Sequence, residues 1–418
     1  MGIKNRRPEL LIPASSLEVL KTAVLFGADA VYIGGEVYGL RAKAKNFSME
    51  DMAEGIAFAH ERGVRVYVTA NILAHNDDLA GVREYFTELK KIGPDALIIS
   101  DPAVFMIAKE VVPEIELHIS TQANNTNYGT YRFWHSLGAK RVVSARELSL
   151  RELKGIRENI PDDLEIETFV HGAMCISYSG RCLLSSFMTG RDANKGACTH
   201  PCRWKYALVE ESRPGQYMPV YENERGTYIF NSKDLCMIEH IPELMAAGID
   251  SYKIEGRMKT ALYVATVTRA YRTAIDDYLR DPAEYEAKLP YYRSEISKCT
   301  YRQYTTGFFF GKPDETTQIY DNNVYERNYT YLGIIGAKHP QYPNRYRIEQ
   351  RNKFSVGEII EVMRPNGADE EIIVKGIYNE ENEFQESAPH PKQVIWVELE
   401  IELEVGNLLR RKEEENLE

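Results

Sequence analysis

Long apolar runs are missing from this sequence of 418 residues. No stretch approaches the ~20 consecutive apolar residues that a membrane-spanning helix needs, so we expect no membrane segment. The opening residues, MGIKNRRPE, lack the pattern of a signal peptide and lead directly into a predicted strand. These absences predict a cytoplasmic globular protein, in a compartment that keeps thiols reduced.

Motifs of the common hydrolases are missing as well. The sequence has no H-E-x-x-H zinc motif, no G-x-S-x-G nucleophile elbow and no evident Ser/His/Asp order. An excess of positive charge is also missing, since the net charge is −11. An acidic chain has little non-specific affinity for nucleic acid, although a local basic patch can still bind RNA.

Cysteine is scarce but clustered. Of six cysteines, Cys175, Cys182, Cys198 and Cys202 fall in the segment 167–202 with C-x6-C-x15-C-x3-C spacing. Soft thiolates select zinc or iron–sulfur, and zinc sites favour short C-x2-4-C pairs, of which this segment has one. We expect all four to bind one [4Fe-4S] cluster. Buried free thiols and a zinc knuckle stay open, whereas disulfides are disfavoured in a reducing compartment.

The same segment carries a family resemblance. Glu167-x-Phe169-x2-Gly172-Ala-Met-Cys175-x4-Gly180-x-Cys182-x-Leu184-Ser185 resembles the signature of the collagenase-like peptidases, the U32 peptidase family. The likeness extends through 9–14, 27–34, 120–122 and the Lys-Ile-Glu-Gly-Arg run 253–257. Within that family the chain is most similar to the prephenate-dependent tRNA hydroxylases. That resemblance implies oxygen-independent conversion of the wobble uridine to 5-hydroxyuridine, with an iron–sulfur cluster, prephenate as co-substrate and a paralogous partner protein. It also makes Cys236 the reserve ligand of the cluster, since related proteins recruit the fourth cysteine from different places.

Short apolar strands alternate with amphipathic helices up to about residue 280. The candidate strands are Leu10–Pro13, Ala30–Gly34, Arg65–Thr69, Ala96–Ser100, Glu116–Ser120, Arg141–Ser144, Leu164–Val170, 228–231 and Ser251–Ile254. Strand–helix repeats imply parallel pairing with right-handed crossovers. Together with the resemblance, they predict a (β/α)8 TIM-like barrel over 1–285. Helices are expected to start after Ser48 and at Asp101-Pro102.

A barrel of this type places its chemistry at the carboxyl ends of its strands. Polar residues follow most of the predicted strands there, and such a ring suits a small anion. Prephenate is a dicarboxylate, and guanidinium forks bind carboxylates at two points, so we expect Arg41, Arg146 and Arg257 to clamp it. The other candidate substrate-binding residues are Asn71 and Arg203. The candidate catalytic residues are His171, Glu255 and Gln122.

The remaining chain divides into further segments. Residues 203–226 form a long insertion after Cys202, whose Arg-Trp-Lys-Tyr opening could stack a base and hold a phosphate. Residues 286–330 are assigned to a connecting segment, 331–410 to a small all-β barrel domain and 411–418 to a charged tail. The run 338–353 is rich in cations and tyrosines, and either binds tRNA phosphates through Arg345, Arg347 and Arg351 or forms a solvated hairpin.

Two other functions compete with an RNA hydroxylase. The family's older name implies a peptidase, and Cys175 near His171 keeps that possibility open, although four thiols at ligand spacing do not resemble a cysteine protease. A zinc-stapled RNA-binding adaptor, with Cys198-x-His200-x-Cys202 in a structural knuckle, is the non-enzymatic alternative. Metal analysis separates the three, since the hydroxylase requires iron and sulfide, the adaptor zinc, and the peptidase neither.

Overall fold

A computed structural model describes residues 7–39, 46–175, 177–178, 181–204, 207–209, 217–219, 232–313, 317 and 326–413. Strands and helices alternate through its first part. The elements up to the third helix are β1 (Glu9–Pro13), α1 (Leu17–Leu25), β2 (Ala30–Gly34), α2 (Met49–His60), β3 (Arg65–Ala70) and α3 (Val82–Ile92). Then follow β4 (Ala96–Ile99), α4 (Pro102–Val111), β5 (Glu116–Ile119), α5 (Tyr128–Ser136), β6 (Arg141–Val143), α6 (Leu150–Arg157) and β7 (Glu165–Ala173).

The cysteine segment and the barrel's last unit come next. Their elements are α7 (Leu184–Thr189), β8 (Ala207–Val209), β9 (Tyr217–Pro219), β10 (Asp234–Cys236), α8 (Ile241–Ala246), β11 (Ser251–Ile254) and α9 (Ala261–Arg280). Strands β1 to β7 pair in parallel in sequence order, and β11 pairs in parallel with both β1 and β7. Eight strands therefore close into the predicted barrel. The candidate strand 228–231 lies outside the described residues.

Two helix starts follow directly from their sequence. The Ser48 hydroxyl accepts a hydrogen bond from the backbone N–H of Asp51 at 3.1 Å, and the Asp101 carboxylate accepts from Ala103 at 2.8 Å. Each side chain satisfies a backbone donor that the first helical turn leaves unpaired. Both predicted helix starts are confirmed.

Strand β7 is irregular where it leaves the barrel. Its register against β11 shifts, so that Phe169 pairs with Lys253 whereas His171 pairs with Ile254. The extra residue is a β-bulge, which re-aims the side chains that follow it. Gly172 then takes a φ of +106°, and a Cβ at this position would lie 2.4 Å from the carbonyl oxygen of Glu255. Only glycine allows the two strand ends to approach this closely.

A second unit is built from antiparallel strands. Its eight-stranded sheet comprises β15 (Tyr329–Lys338), β16 (Arg345–Gln350), β18 (Ile359–Met363), β19 (Glu370–Ile373), β20 (Gly376–Tyr378), β21 (Phe384–Gln385), β23 (Val394–Glu398) and β24 (Leu408–Lys412). Its own core includes Leu332, Tyr346 and Val397. Two short strands, β17 (Phe354–Ser355) and β22 (Ser387–Ala388), pair with each other beside it.

The connection between the units contains regular elements in its described residues. It contains α10 (Pro282–Ala287), α11 (Leu289–Ile296), β12 (Thr300–Tyr301), β13 (Tyr304–Thr305) and β14 (Glu326–Arg327). Strand β13 joins the barrel sheet through β10, which pairs antiparallel with the end of β7. The segment assigned to a connection therefore adds structure to the barrel wall.

The second unit packs against helices of the barrel. Arg269 of α9 contacts Glu295 of α11 at 2.6 Å and Asp369 of the β unit at 2.6 Å. Arg410 also contacts Asp369, at 3.1 Å. The guanidinium of Arg269 is only 6% exposed, so these contacts form in a largely desolvated interface where unpaired charge is costly. Helix α9 thus links the two units.

Candidate active site

The carboxyl ends of the barrel strands surround a cavity. The predicted site residues that line it are Asn71, Gln122, Arg146, Cys175, Cys182, Cys198, Cys202, Glu255 and Arg257. They come from strand ends that are far apart in sequence, together with the cysteine segment. The cavity therefore brings thiols, guanidinium groups, amides and a carboxylate to one place.

Local contacts fix the thiol-bearing backbone. The Asn194 side chain holds Cys182 at two points, accepting from its backbone N–H at 3.0 Å and donating to its carbonyl at 3.1 Å. The backbone N–H of His200 donates to the sulfur of Cys198 at 3.4 Å, and His200 adopts a left-handed φ of +54°. Hydrogen bonds of this kind stabilise a thiolate and tune metal–sulfur centres.

The thiols influence one another electrostatically. Cys175 is exposed as a residue, but the protein atoms around its thiol partly desolvate it and so raise its pKa. The nearby charges of Cys182 and Cys198 raise the pKa of this thiol further. The guanidinium of Arg146 opposes that rise. Metal ligation requires deprotonated thiols, so a bound cationic centre would relieve the repulsion among them. In the described part of the chain, no three His, Cys, Asp or Glu side chains are grouped closely enough to hold one metal ion.

Cys236 and His171 lie outside the lining of the cavity. Burial raises the pKa of the Cys236 thiol to about 12, and its sulfur lies 3.9 Å from the hydroxyl of Tyr271. The His171 ring is 1% exposed and packs among Tyr263, Tyr271 and Tyr304. Burial lowers its pKa to about 3. The bulge in β7 explains the position of His171, because it turns the ring toward α9 while Phe169 faces the cavity.

Two of the three candidate clamp arginines lie in the cavity wall. Arg146 contacts Glu255 at 3.5 Å, donates to the carbonyl of Ala173 at 3.3 Å and lies over the ring of Phe169. Arg257 is 6% exposed and donates to the Thr69 hydroxyl at 3.2 Å. Arg41 lies outside the described residues. The backbone of Arg203 belongs to the 3-10 turn Pro201–Arg203, and its side chain is outside the described part of the structure.

The amides complete the predicted ring. Asn71 donates to the Ser120 hydroxyl at 3.3 Å. Gln122 is 7% exposed, and its side-chain carbonyl oxygen is buried without a hydrogen-bond partner among the described residues. Its backbone carbonyl accepts from Arg181 at 2.8 Å, which ties the cysteine segment to the fifth strand end. A buried acceptor with no protein donor is placed to receive one from a ligand.

Sequence reasoning missed Lys253 as a site residue. Its ammonium group lines the cavity and contacts Glu167 at 2.6 Å. Glu167 contacts Arg141 at 3.2 Å, and Arg141 contacts Glu9 at 2.5 Å, so alternating charges cross the barrel interior. Burial would raise the pKa of Glu9, but the Arg141 charge and hydrogen bonds lower it to about 2. The sequence did contain a signal for Lys253, namely a lysine within a predicted barrel strand. Lysine is rarely buried without a partner, so such a position indicates a buried ion pair or a binding site.

The cationic run of the β unit is mostly engaged within the protein. Arg351 forms ion pairs with Glu18 of α1 and with Glu349. Arg345 pairs with Glu398 at 3.3 Å and lies over the rings of two tyrosines. Arg347 remains exposed. Arg351 therefore joins the two units, and of these three guanidinium groups only that of Arg347 faces solvent.

Two family profiles cover most of the chain. The profile described as peptidase family U32 matches residues 15–319, and the one described as peptidase family U32 C-terminal domain matches residues 327–410. The chain belongs to peptidase family U32. The U32 signature thus includes five residues that line the cavity, which are Phe169, Ala173, Met174, Cys175 and Cys182. It also includes Gly172, whose positive φ shapes the end of β7.

Relatives in this family carry different names. The chain is 39% identical over 407 residues to tRNA hydroxylation protein P1 of Bacillus subtilis, covering 97% of this chain and 95% of that protein. It is 47% identical over 305 residues to an uncharacterized protease of Methanocaldococcus jannaschii, covering 72% of this chain and 73% of that protein. It is 38% identical to the 23S rRNA 5-hydroxycytidine C2501 synthase of Escherichia coli, covering 67% of this chain and 41% of that protein.

In this U32 member the predicted pair of Cys175 and His171 does not meet in the cavity, although His200 lines the cavity together with the cysteines. Cys175 lines the cavity, but the His171 ring is enclosed by tyrosines on the other side of β7. A general base must reach the group it deprotonates, either directly or through one water. Separately, no helix in the described ranges is long and apolar enough to cross a membrane.

Proposed function

We propose that this protein is a tRNA hydroxylase that converts the wobble uridine to 5-hydroxyuridine without molecular oxygen. Prephenate is its co-substrate, and Cys175, Cys182, Cys198 and Cys202 hold a [4Fe-4S] cluster. The observation that carries the proposal is the convergence of four thiols and cationic side chains on one cavity of the barrel. Its support from relatives is the near full-length similarity to a protein named for tRNA hydroxylation.

The donor set suits an iron–sulfur cluster. Four cysteine thiolates are the usual ligands of a cubane cluster. A single tetrahedral zinc, with zinc–sulfur bonds of ~2.3 Å, would draw its sulfurs to within about 4 Å of one another. A four-iron cluster needs a wider set of thiolates, which agrees with the finding that the described thiols are not grouped closely enough to hold one metal ion. When bound, the cluster would supply either electron transfer or Lewis acidity beside the substrate.

The protein's own groups would bind and orient the co-substrate. Arg146 and Arg257 present guanidinium groups to the cavity, and a carboxylate accepts two parallel hydrogen bonds from such a group. Glu255 contacts Arg146 and limits the orientations of its guanidinium. Gln122 offers a buried acceptor for a ligand hydroxyl. Together these groups would hold a hydroxylated dicarboxylate in one orientation.

The decisive experiment uses full-length protein purified without oxygen. We expect about four irons and four sulfides per chain, and formation of 5-hydroxyuridine when prephenate and unmodified tRNA are supplied, measured by nucleoside mass spectrometry. Omission of prephenate should abolish the product. Ribosomal RNA as the alternative substrate tests the RNA class, because one relative is named for a ribosomal cytidine.

The competing functions predict different results. Stoichiometric zinc without sulfide would favour the RNA-binding adaptor, and metal-free protein that cleaves peptides would favour the peptidase. Either result would overturn the hydroxylase proposal.

A further inference from the structure

Lys253 is an almost fully buried cation that faces the cavity. The residue is 4% exposed, and its ammonium nitrogen lies 2.6 Å from a carboxylate oxygen of Glu167. The rings of Tyr32 and Phe169 flank it, with centroids 4.4 and 5.5 Å away. Lys253 precedes Arg257 on the same strand-to-turn segment, so it lies deeper in the barrel than the predicted arginine clamp.

The hydrogen-bonding capacity of Lys253 is incompletely used. An ammonium group has three N–H donors, whereas Glu167 is the acceptor that the described residues provide. Aromatic faces attract the charge but do not replace conventional acceptors. Because unpaired donors on a buried charge are costly, the remaining donors indicate an acceptor that the described residues do not supply.

Two other residues of the cavity lining carry buried atoms that have no hydrogen-bond partner within the described part of the chain. These atoms are the Nε of Arg146 and the side-chain oxygen of Gln122. The combination comprises two cationic donors and one neutral acceptor. It matches a ligand that carries carboxylate oxygens and also a hydroxyl group.

Glu167 holds Lys253 in place but does not neutralise it fully, because its carboxylate is shared with a second cation. Arg141 shares the Glu167 carboxylate at 3.2 Å, and Arg141 itself is 2% exposed. The alternating charges Glu9, Arg141, Glu167 and Lys253 therefore end with a cation at the cavity. Since each member is fixed by the next, the ammonium group is positioned before a ligand arrives, which reduces the entropic cost of binding.

We propose that Lys253 forms a carboxylate-binding subsite at the floor of the cavity, separate from the arginine clamp. One carboxylate of a dicarboxylate ligand contacts Lys253, and the other reaches the guanidinium groups nearer the mouth. The identification of that ligand as prephenate rests on the proposed function. The subsite itself rests on the position and unused donors of Lys253.

The test compares ligand binding to wild-type and Lys253→Met proteins by anaerobic calorimetry. Methionine keeps much of the volume of the side chain and removes the charge. Loss of a charge-assisted hydrogen bond should raise the dissociation constant about 10- to 100-fold. The probes are prephenate and malonate, so that dicarboxylate binding is measured independently of the proposed co-substrate.

Two variants control for structural effects. Lys259→Met removes an ammonium group that lies over the Tyr263 ring and does not line the cavity, so its affinity should equal that of the wild type. The double variant Lys253→Met/Glu167→Gln removes both charges of the buried pair. It also removes the Glu167 carboxylate, which in the single variant keeps Arg141 but loses its partner Lys253, so it should fold even if the single variant does not. It should show the same loss of affinity.

The outcomes separate this inference from the proposed function. Tight prephenate binding that depends on Lys253 supports both. Malonate binding that depends on Lys253, without prephenate binding, supports the subsite and refutes prephenate as the co-substrate. Equal affinities in wild-type and Lys253 variants overturn the subsite and leave the hydroxylase standing. Absence of binding to either probe in the wild type overturns the subsite.

Discussion

Replacing Gly172 by alanine should damage the active site through the backbone. The residue has a φ of +106°, and an added Cβ would lie 2.4 Å from the Glu255 carbonyl oxygen and 3.0 Å from the adjoining carbon. The unfavourable backbone conformation costs about 1–2 kcal/mol. The collision adds about 1–3 kcal/mol, because rigid backbone must move. We therefore expect Gly172→Ala to destabilise the protein by about 2–5 kcal/mol.

Gly93→Ala provides the matched control. Gly93 also has a positive φ, +67°, but nothing lies within 4 Å of its Cβ position. That variant should lose only about 1 kcal/mol of its free energy of unfolding. Comparing the urea unfolding of the two proteins therefore separates the cost of the backbone conformation from the cost of the contact between the added Cβ and Glu255. Gly172→Ala should also displace Glu255 and weaken prephenate binding, whereas Gly93→Ala should not. Equal unfolding midpoints for the two variants would refute the argument that β7 and β11 depend on this contact.

Three further predictions concern charge and ligation. The Cys182→Ala protein should lose most of its iron. The control is Cys299→Ala, which changes a buried thiol outside the cavity and should keep the iron. Iron retained in the Cys182→Ala protein would contradict the ligand assignment. Arg146→Lys should weaken prephenate binding about 10- to 100-fold, because an ammonium group lacks the planar fork of a guanidinium. Unchanged affinity in calorimetry would show that Arg146 does not bind the dicarboxylate. The Glu9 pKa of about 2 lies below its ordinary value, so its stabilisation is present above about pH 4.5 and is lost as pH falls toward 2. In the Glu9→Gln protein, the free energy of unfolding should vary with pH by on the order of 3 kcal/mol less than in the wild type between these pH values. If urea unfolding gives parallel pH profiles for the two proteins, the contact of Glu9 with Arg141 is not the cause of the pH dependence.

The strands and helices of the barrel could be predicted from local sequence, and its closure with the help of the family resemblance, whereas parts of its site could not. Short apolar strands and helix caps such as Ser48 act through near neighbours, so their positions follow from pattern. The direction of His171 depends on a register shift against β11, which no periodicity in β7 reveals. Similarly, Arg351 resembles a phosphate-binding residue until the fold places it against Glu18, 333 residues away in sequence.

Lys253 illustrates a different difficulty. Its presence in a strand was visible, but its role depends on Glu167 and Arg141, which reach it only when the barrel closes. The cysteines were recognisable as a set because their spacing is unusual and their residue type is chemically specific. Sequence therefore identifies chemistry carried by rare residues more readily than chemistry created by the pairing of common ones.

The position of α9 affects how this family can be engineered. The helix starts four residues after Arg257, and Arg269 lies twelve residues beyond that arginine, in the interface with Asp369. At 1.5 Å per residue, the helical part of that stretch spans about 13 Å. A chimera that exchanges only the C-terminal β unit would therefore place helix α9 of one relative against the interface carboxylates of another, at the position of Asp369. The exchangeable module has to include α9 and α11, and its junction then falls beside Arg257 in the wall of the cavity.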